Sequence, residues 1–326
     1  MMRRRDLIIL FAASAWTQVS HADNSKAPVV GLLSNSSPDE QRRGLMPQAS
    51  RDLGYVEGQN IRFEYRAAGG DAERLPALAT ELVTAGVTVI VSYATPATRA
   101  AQKATSTIPI VGVAMADPSR DGLVQSYASP EANITGNTFL GPELVPKRLG
   151  YLKELVPPLT RVGVLWHPQA YSDQTMKEMV KEARQVAAAL GISLEFAAVS
   201  GPTDFEAAFA SLSRLGAEAL LEFPSQMLFF QRQRLVDLAS VHRIPAMWNA
   251  REFVEIGGLI MYGASIDDLS RRAAVYVDRI IRGSKPSELP IEQPTKFELV
   301  INTTTAKALG IIILPALLAR ADEVIE

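Results

Sequence analysis

A short apolar run that stops abruptly in small polar residues, Val29-Val30-Gly31-Leu32-Leu33-Ser34-Asn35-Ser36-Ser37, returns about 130 residues later as Arg161-Val162-Gly163-Val164-Leu165-Trp166-His167-Pro168. Each copy reads as a short buried strand that delivers polar or aromatic groups into a loop. The match continues at nearly constant offset. Ile61-Arg62-Phe63-Glu64 is echoed by Ser193-Leu194-Glu195-Phe196, the helical stretch Ala72 to Leu82 by Asp204 to Leu215, Val87 to Ser92 by Ala219 to Pro224, and Ile108-Pro109-Ile110-Val111 by Ile244-Pro245-Ala246-Met247. One unit is used twice. Because a continuous apolar strand followed by a helix is the pattern of a parallel sheet covered on both faces, the expected fold is α/β with two Rossmann-like lobes, each a parallel sheet flanked by helices.

The first unit reads strand Val29 to Ser34, helix Asp39 to Leu53 stopped at Gly54, strand Ile61 to Tyr65, helix from Ala72 closed by Gly86, strand Val87 to Ser92, helix Thr95 to Ala104 and strand Ile108 to Val113. A loop-rich segment with one short helix, Leu123 to Ser126, then runs through Asn133-Ile134-Thr135-Gly136, and helix Leu144 to Leu155 leads into the second unit. Beyond Trp248 the sequence offers elements with no counterpart in the first unit: strand Gly257 to Gly263, amphipathic helix Ile266 to Arg282, a proline-rich connection Gly283 to Pro294, strand Phe297 to Asn302 and two short helices. An extra strand, helix and returning strand predict three crossings between the lobes, near Thr138, Gly263 and Pro290, which make a hinge and a cleft. The expected division is 28–138 plus 264–284 for lobe 1 and 139–263 plus 291–326 for lobe 2.

Residues 1–22 read as a signal peptide, with a basic Arg3-Arg4-Arg5, an apolar Leu7 to Ala15 too short to span a bilayer, and Ser20-His21-Ala22 before the cleavage point. The Sec and twin-arginine routes both remain open. The chain contains no cysteine, so neither a disulfide nor a lipid-anchoring thiol is available, and a free periplasmic protein is the expected product. The formal charge of −2 gives no electrostatic footprint for nucleic acid.

Several stretches resemble the ABC transporter substrate-binding protein family that includes tryptophan- and tyrosine-uptake members, within the class I periplasmic binding proteins. They are Leu53-Gly54-Tyr55-Val56-Glu57-Gly58-Gln59-Asn60, Asp117-Pro118, Asn133-Ile134-Thr135-Gly136, Gly258-Leu259-Ile260-Met261-Tyr262-Gly263, Gln293 to Asn302 and Leu317 to Val324. The resemblance implies a monomeric two-lobed binder that captures a small solute, an amino acid, aromatic compound or related carboxylate, and presents it to a membrane permease with its ATPase.

In open parallel sheets, ligands sit beyond the carboxyl ends of the strands. That rule selects Ser34, Asn35, Ser36, Tyr93, Thr95, Met115 and Asp117 from the first unit, and His167, Glu222, Trp248, Asn249 and Tyr262 from the second. Ser36 and Thr95 equally suit N-caps, and two helix N-termini there would suit a ligand carboxylate. Trp248 and Tyr93 suit either the core or an aromatic wall. Glu222 ends an apolar strand and must pair with a basic side chain or receive a ligand ammonium. With three histidines and no cluster, no metal site is expected, nor any cofactor. The chain carries no G-x-S-x-G, H-E-x-x-H, Walker or G-x-G-x-x-G pattern, so a binder is expected rather than an enzyme. The alternatives are an exported sensor subunit and a hydrolase or isomerase using the same cleft.

Overall fold

The computed structural model describes residues 27–326 other than Arg43 and Glu131. The signal-peptide expectation lies outside the described residues. The first sheet has five parallel strands in the order β2-β1-β3-β4-β5, built from β1 (Val29–Ser34), β2 (Arg62–Ala67), β3 (Val89–Tyr93), β4 (Ile110–Met115) and β5 (Ile134–Thr138). Its helices are α1 (Pro38–Arg42), α2 (Leu45–Asp52), α3 (Leu75–Thr84) and α4 (Ala94–Ala104).

The second sheet begins the same way, with β7-β6-β8-β9-β10 matching β2-β1-β3-β4-β5 strand for strand. Its strands are β6 (Arg161–Trp166), β7 (Ser193–Ala198), β8 (Ala219–Glu222), β9 (Ala246–Trp248) and β10 (Ile260–Ala264), extended by an antiparallel β11 (Phe297–Asn302) and by β12 (Glu323–Ile325). The remaining helices are α5 (Val145–Leu155), α6 (Asp173–Ala189), α7 (Phe205–Arg214), α8 (Gln226–Phe230), α9 (Arg232–Val241), α10 (Arg251–Glu255), α11 (Ile266–Ile281), α12 (Thr303–Leu309) and α13 (Pro315–Leu318).

The repeated glycine explains why both units pack alike. A Cβ on Gly31 would lie 2.9 Å from Leu82 Cδ2, and one on Gly163 would lie 2.9 Å from Leu212 Cδ1. In each lobe a leucine of the helix after the second strand fills the space over the glycine of the central strand. Alternation then sorts β1, with Val30 and Leu32 facing the α2 and α11 layer and Leu33 facing α3 and α4. In the second lobe Val162 and Val164 face α5 and α6, while Leu165 faces α7 and α9.

The duplication runs further than the sequence suggested. The stretch read as loop at Asn133 to Gly136 forms β5, the counterpart of β10, so the strand after Gly257 does have a partner in the first unit. Its polar residues are buried, and Thr135 and Asn137 are satisfied while the Thr138 hydroxyl has no partner. Thr135 Oγ1 donates to the Leu289 carbonyl at 2.8 Å, Asn137 Oδ1 accepts from Ala114 N at 2.9 Å, and Asn137 Nδ2 donates to the Leu269 carbonyl at 2.8 Å. Gly136, at φ 132°, lies so close to β4 that a Cβ would sit 1.9 Å from the Gly112 carbonyl oxygen. After each fifth strand the chain leaves its lobe. The helix that follows β5, α5, packs on α6, β8 and β9, whereas α11, which follows β10, packs on α2, β3, β4 and β5. The lobes thus exchange helices, and a third segment returns through an isolated bridge between Asn137 and Glu292 to β11.

Three local expectations change. Helix Asp39 to Leu53 divides into α1 and α2 with Gly44 as the N-cap of α2, residues Leu123 to Ser126 follow an irregular, bent path rather than a helix, and the chain ends in β12 after α13. Arg251 ties that last strand down, bonding Glu323 at 2.7 Å and Glu298 of β11 at 3.2 Å. Among the described residues no helix is long and apolar enough to cross a membrane.

Candidate functional site

Most of the expected residues stand at or just beyond the carboxyl ends of the parallel strands of the two sheets. On the first sheet, β1 delivers Ser34, Asn35 and Ser36 into a buried turn, where the Ser34 and Ser36 hydroxyls bond each other at 2.5 Å and Asn35 Oδ1 is left buried without a partner. Tyr93 is the last residue of β3, and burial raises its phenol above the ordinary range. Thr95 lies in the first turn of α4, where its Oγ1 accepts the Ala116 N–H at 3.1 Å. A hydroxyl retains its own hydrogen after accepting, so Thr95 can still donate. Thr95→Val should cost about 1–3 kcal/mol in urea unfolding, because the Ala116 N–H would be buried without an acceptor. Unchanged stability would show that the bond is dispensable. Asp117 organises its own loop instead of standing free: Oδ1 accepts from Arg120 N at 3.0 Å and from the Tyr127 hydroxyl at 3.2 Å, and Oδ2 pairs with Arg120 Nε at 3.2 Å.

On the second sheet the decisive pair is Glu222 and Arg148. Glu222 closes β8 with no exposed surface; Asn249 Nδ2 donates to its Oε1 at 2.9 Å, while Oε2 is buried without a partner in hydrogen-bonding geometry. Arg148, equally buried on α5, gives Nε to the Tyr262 carbonyl at 2.7 Å and Nη1 to the Gly141 carbonyl at 3.0 Å, leaving Nη2 unpaired. Burial pushes the Glu222 carboxyl up to about 8, opposed chiefly by Arg148, and lowers the Arg148 guanidinium to about 10. Burial thus favours the neutral carboxyl of Glu222 and weakens the Arg148 cation without displacing it from its basic range. Tyr171 is held well above the ordinary phenol range, first by burial and then by Glu222. His167, lowered by burial, contacts the Ser225 hydroxyl at 3.4 Å through Nδ1.

Because the folded-state value of Glu222 exceeds its ordinary one of about 4.5, its contribution to stability is complete below that value and is lost as pH rises through about 8. Glu222→Gln should remove this slope, flattening unfolding free energy by an amount on the order of 5 kcal/mol over that window. Denaturant titrations at several pH values check it; parallel curves for both proteins would refute it.

Besides Asp117, three of the expected residues are not free to meet a ligand. Met115 has no exposed surface, because the β4–β5 irregularity after Gly112 turns its thioether onto Gly112 and into the α3 and α4 core layer. Trp248 is likewise fully buried on the α9 and α10 side, stacked on Phe253 at 4.5 Å and 9°. Tyr262 packs in the opposite core layer against Phe297, its hydroxyl accepting from Lys147 Nζ at 2.6 Å. Sequence reasoning missed Arg148, although its spacing from Val145 and Leu152 puts it on the apolar stripe of α5. It also missed Tyr171, and Gln226, whose Nε2 reaches across the cleft to the Tyr93 carbonyl at 3.3 Å.

Two α/β lobes joined by three segments, with unpaired polar groups where their strand ends face one another, define a two-lobed binding protein. The family profile described as ABC transporter substrate binding protein matches residues 26–325, and the chain belongs to that family. A curated relative, the tyrosine-binding protein of Clostridioides difficile (strain R20291), is 26% identical over 302 residues, covering 91% of this chain and 85% of its own length. Among solved structures, a conserved domain protein from Vibrio cholerae has a TM-score of 0.83 at 27% identity, covering 92% of this chain and 100% of its own. A Streptococcus pneumoniae ABC domain in complex with L-Trp has a TM-score of 0.82 at 24% identity with the same coverage. The ligand-free, open form of a Clostridium difficile substrate-binding protein with adhesive properties has a TM-score of 0.64 at 21% identity, covering 92% and 99%. Membership makes the chain a substrate-binding protein of an ABC transporter, a class that is extracytoplasmic and takes a small-molecule ligand for an ABC permease.

Proposed function

We propose that the chain captures an aromatic amino acid, as its zwitterion, between the two lobes and delivers it to an ABC permease and its ATPase. The observation that carries the reading is the buried Glu222 Oε2, without a hydrogen-bond partner, on a carboxyl whose strongest favourable charge is the Arg148 guanidinium. In the empty cleft, neutral Glu222 leaves the cation of Arg148 unbalanced. A ligand ammonium against Oε2 favours the ionised carboxylate, so the proton leaves, and a zwitterion then completes a site of zero net charge. The ligand carboxylate is placed at the other wall, against the first-turn N–H groups of α4 and the Ser34–Ser36 turn, where neutral donors are available without a second buried arginine. The tyrosine named for the curated relative and the L-Trp bound by the S. pneumoniae structure support an aromatic side chain.

In this reading the cleft binds and releases without chemistry, the protein acts as a periplasmic monomer exported through its first 22 residues, and its mildly acidic surface has no nucleic-acid role. The lobes correspond to residues 28–138 plus 264–284 and 139–263 plus 291–326, and Ser34, Asn35, Ser36, Tyr93, Thr95, His167, Glu222 and Asn249 face the ligand. Thermal melts against a panel of the common amino acids test the ligand class, since a ligand that binds the native state raises stability with its concentration. L-tryptophan or L-tyrosine should give the largest rise. A panel in which an aliphatic, acidic or basic amino acid stabilises most, or none does, rejects the aromatic assignment.

A further inference from the structure

Asp121 reaches from the first lobe into the second. Its side chain is fully buried, in the loop between β4 and β5 that α4 holds in place: Arg99 Nη2 donates to the Asp121 carbonyl at 2.8 Å and lies 4.0 Å from Oδ1, and Gln102 Nε2 donates to the Leu123 carbonyl at 3.2 Å. The next residue, Gly122 at φ 68°, makes the turn that returns the chain to α4. Across the cleft, Oδ1 meets the start of α6, accepting from Ser172 N at 3.4 Å and from the Thr175 hydroxyl at 3.3 Å. Ser172 is itself the N-cap of this 17-residue helix, its Oγ accepting from Thr175 N at 3.3 Å, and Thr175 is buried.

We infer that Asp121 is a latch: a carboxylate fixed to one lobe that caps a long helix of the other, and so favours lobe closure whatever the solute. The sign of the effect follows from charge. An anion at the positive end of α6 is stabilised in the closed form, and separation of the lobes returns the first turn of α6 and the carboxylate to water. Rehydration offsets much of the loss, because a buried carboxylate gives up its own solvation on closure, so the latch biases the equilibrium without locking it. Arg99 reinforces the carboxylate from its own lobe, which keeps Asp121 aimed at α6 when the lobes part. Gln226, bonded to the Tyr93 carbonyl, makes a second and uncharged contact across the cleft, so loss of Asp121 should shift the balance and not abolish closure. The residue is thus a positioning residue for binding, acting through the population of closed protein.

The absence of cysteine allows clean paired labelling. Spin labels placed through Lys103→Cys and Lys177→Cys, exposed positions on α4 and α6, report the separation of the lobes by electron–electron dipolar spectroscopy on ligand-free full chain. The unsubstituted pair should show a short-distance population; Asp121→Ala and Thr175→Val should each lower the closed-to-open ratio about ten-fold, and together little further, because both remove the same contact. Asp121→Asn, which keeps an acceptor but loses the charge, should fall between. Thr175→Val alters only the second lobe and reads the same contact if an Asp121 variant folds poorly. A ligand-free distribution without the short population, distances unmoved by either substitution, or fully additive effects would each overturn the latch. Because no ligand is added, the outcome is separate from the identity of the solute.

Discussion

Arg148→Ala should destabilise the protein by about 3–5 kcal/mol, among the largest effects of any single side chain in the second lobe. The expectation is built from three losses at one position. The Tyr262 and Gly141 carbonyls, both buried by Arg148 and both flanking crossings between the lobes, lose their donor at once. A long side chain with no exposed surface leaves a void between α5 and the ends of β8 and β10. Glu222 loses the cation that most favours its ionised form, so its carboxyl moves further upward. Denaturant unfolding of the second lobe measures the sum. Arg148→Met, which fills the void but restores no donor, should recover part of it, and a loss below about 1 kcal/mol for alanine would show that the two carbonyls find other donors.

Trp248→Ala should cost a comparable 3–5 kcal/mol, the usual range for emptying a large aromatic from a core, yet leave ligand affinity in the folded fraction within a few-fold. The ring stacks on Phe253 and is backed by Gly258, where a Cβ would come within 2.7 Å of the indole nitrogen. That indole N–H has no partner, so Trp248→Phe removes an unsatisfied donor along with part of the ring and should retain most of the stability. Comparing melting and affinity in the two variants separates a core residue from a ligand wall. A well-folded Trp248→Ala protein with affinity reduced a hundred-fold would return the tryptophan to the cleft.

The sequence carried the architecture because duplication repeats a physical constraint. Gly31 under Leu82 and Gly163 under Leu212 are one packing solution written twice, and the alternation of the flanking strands follows from it. What escaped reading was stabilised by distant contacts. The strand Ile134–Thr138 looks like a loop because threonine, glycine and asparagine mark loops, and its burial rests on Leu269, Leu289 and Ala114, two of them more than a hundred residues away. For Trp248 the choice between core and aromatic wall was illegible for a different reason. Being near a strand end fixes a Cα position, whereas the strand's alternation fixes the face, and Met247 and Trp248 go to opposite layers. That Ser34, Asn35, Ser36, Thr95 and Asn249 stand at or just beyond strand ends was legible because the topology of parallel sheets puts them there. Arg148 and Asp121 lie outside that rule, one on a helix exchanged between lobes and one in a loop that crosses the cleft.

The central claim is that a ligand ammonium meets the unpaired oxygen of a carboxyl that is protonated before binding. Calorimetric titration of L-tryptophan and L-tyrosine near pH 6.5, in two buffers of different ionisation enthalpy, counts the protons exchanged directly. Wild-type protein should release close to one proton per ligand bound, since the pH lies between the ordinary and raised values of Glu222, and the Glu222→Gln protein should release none. Binding of either amino acid to wild type with no proton released, or with the same release from Glu222→Gln, would contradict the account.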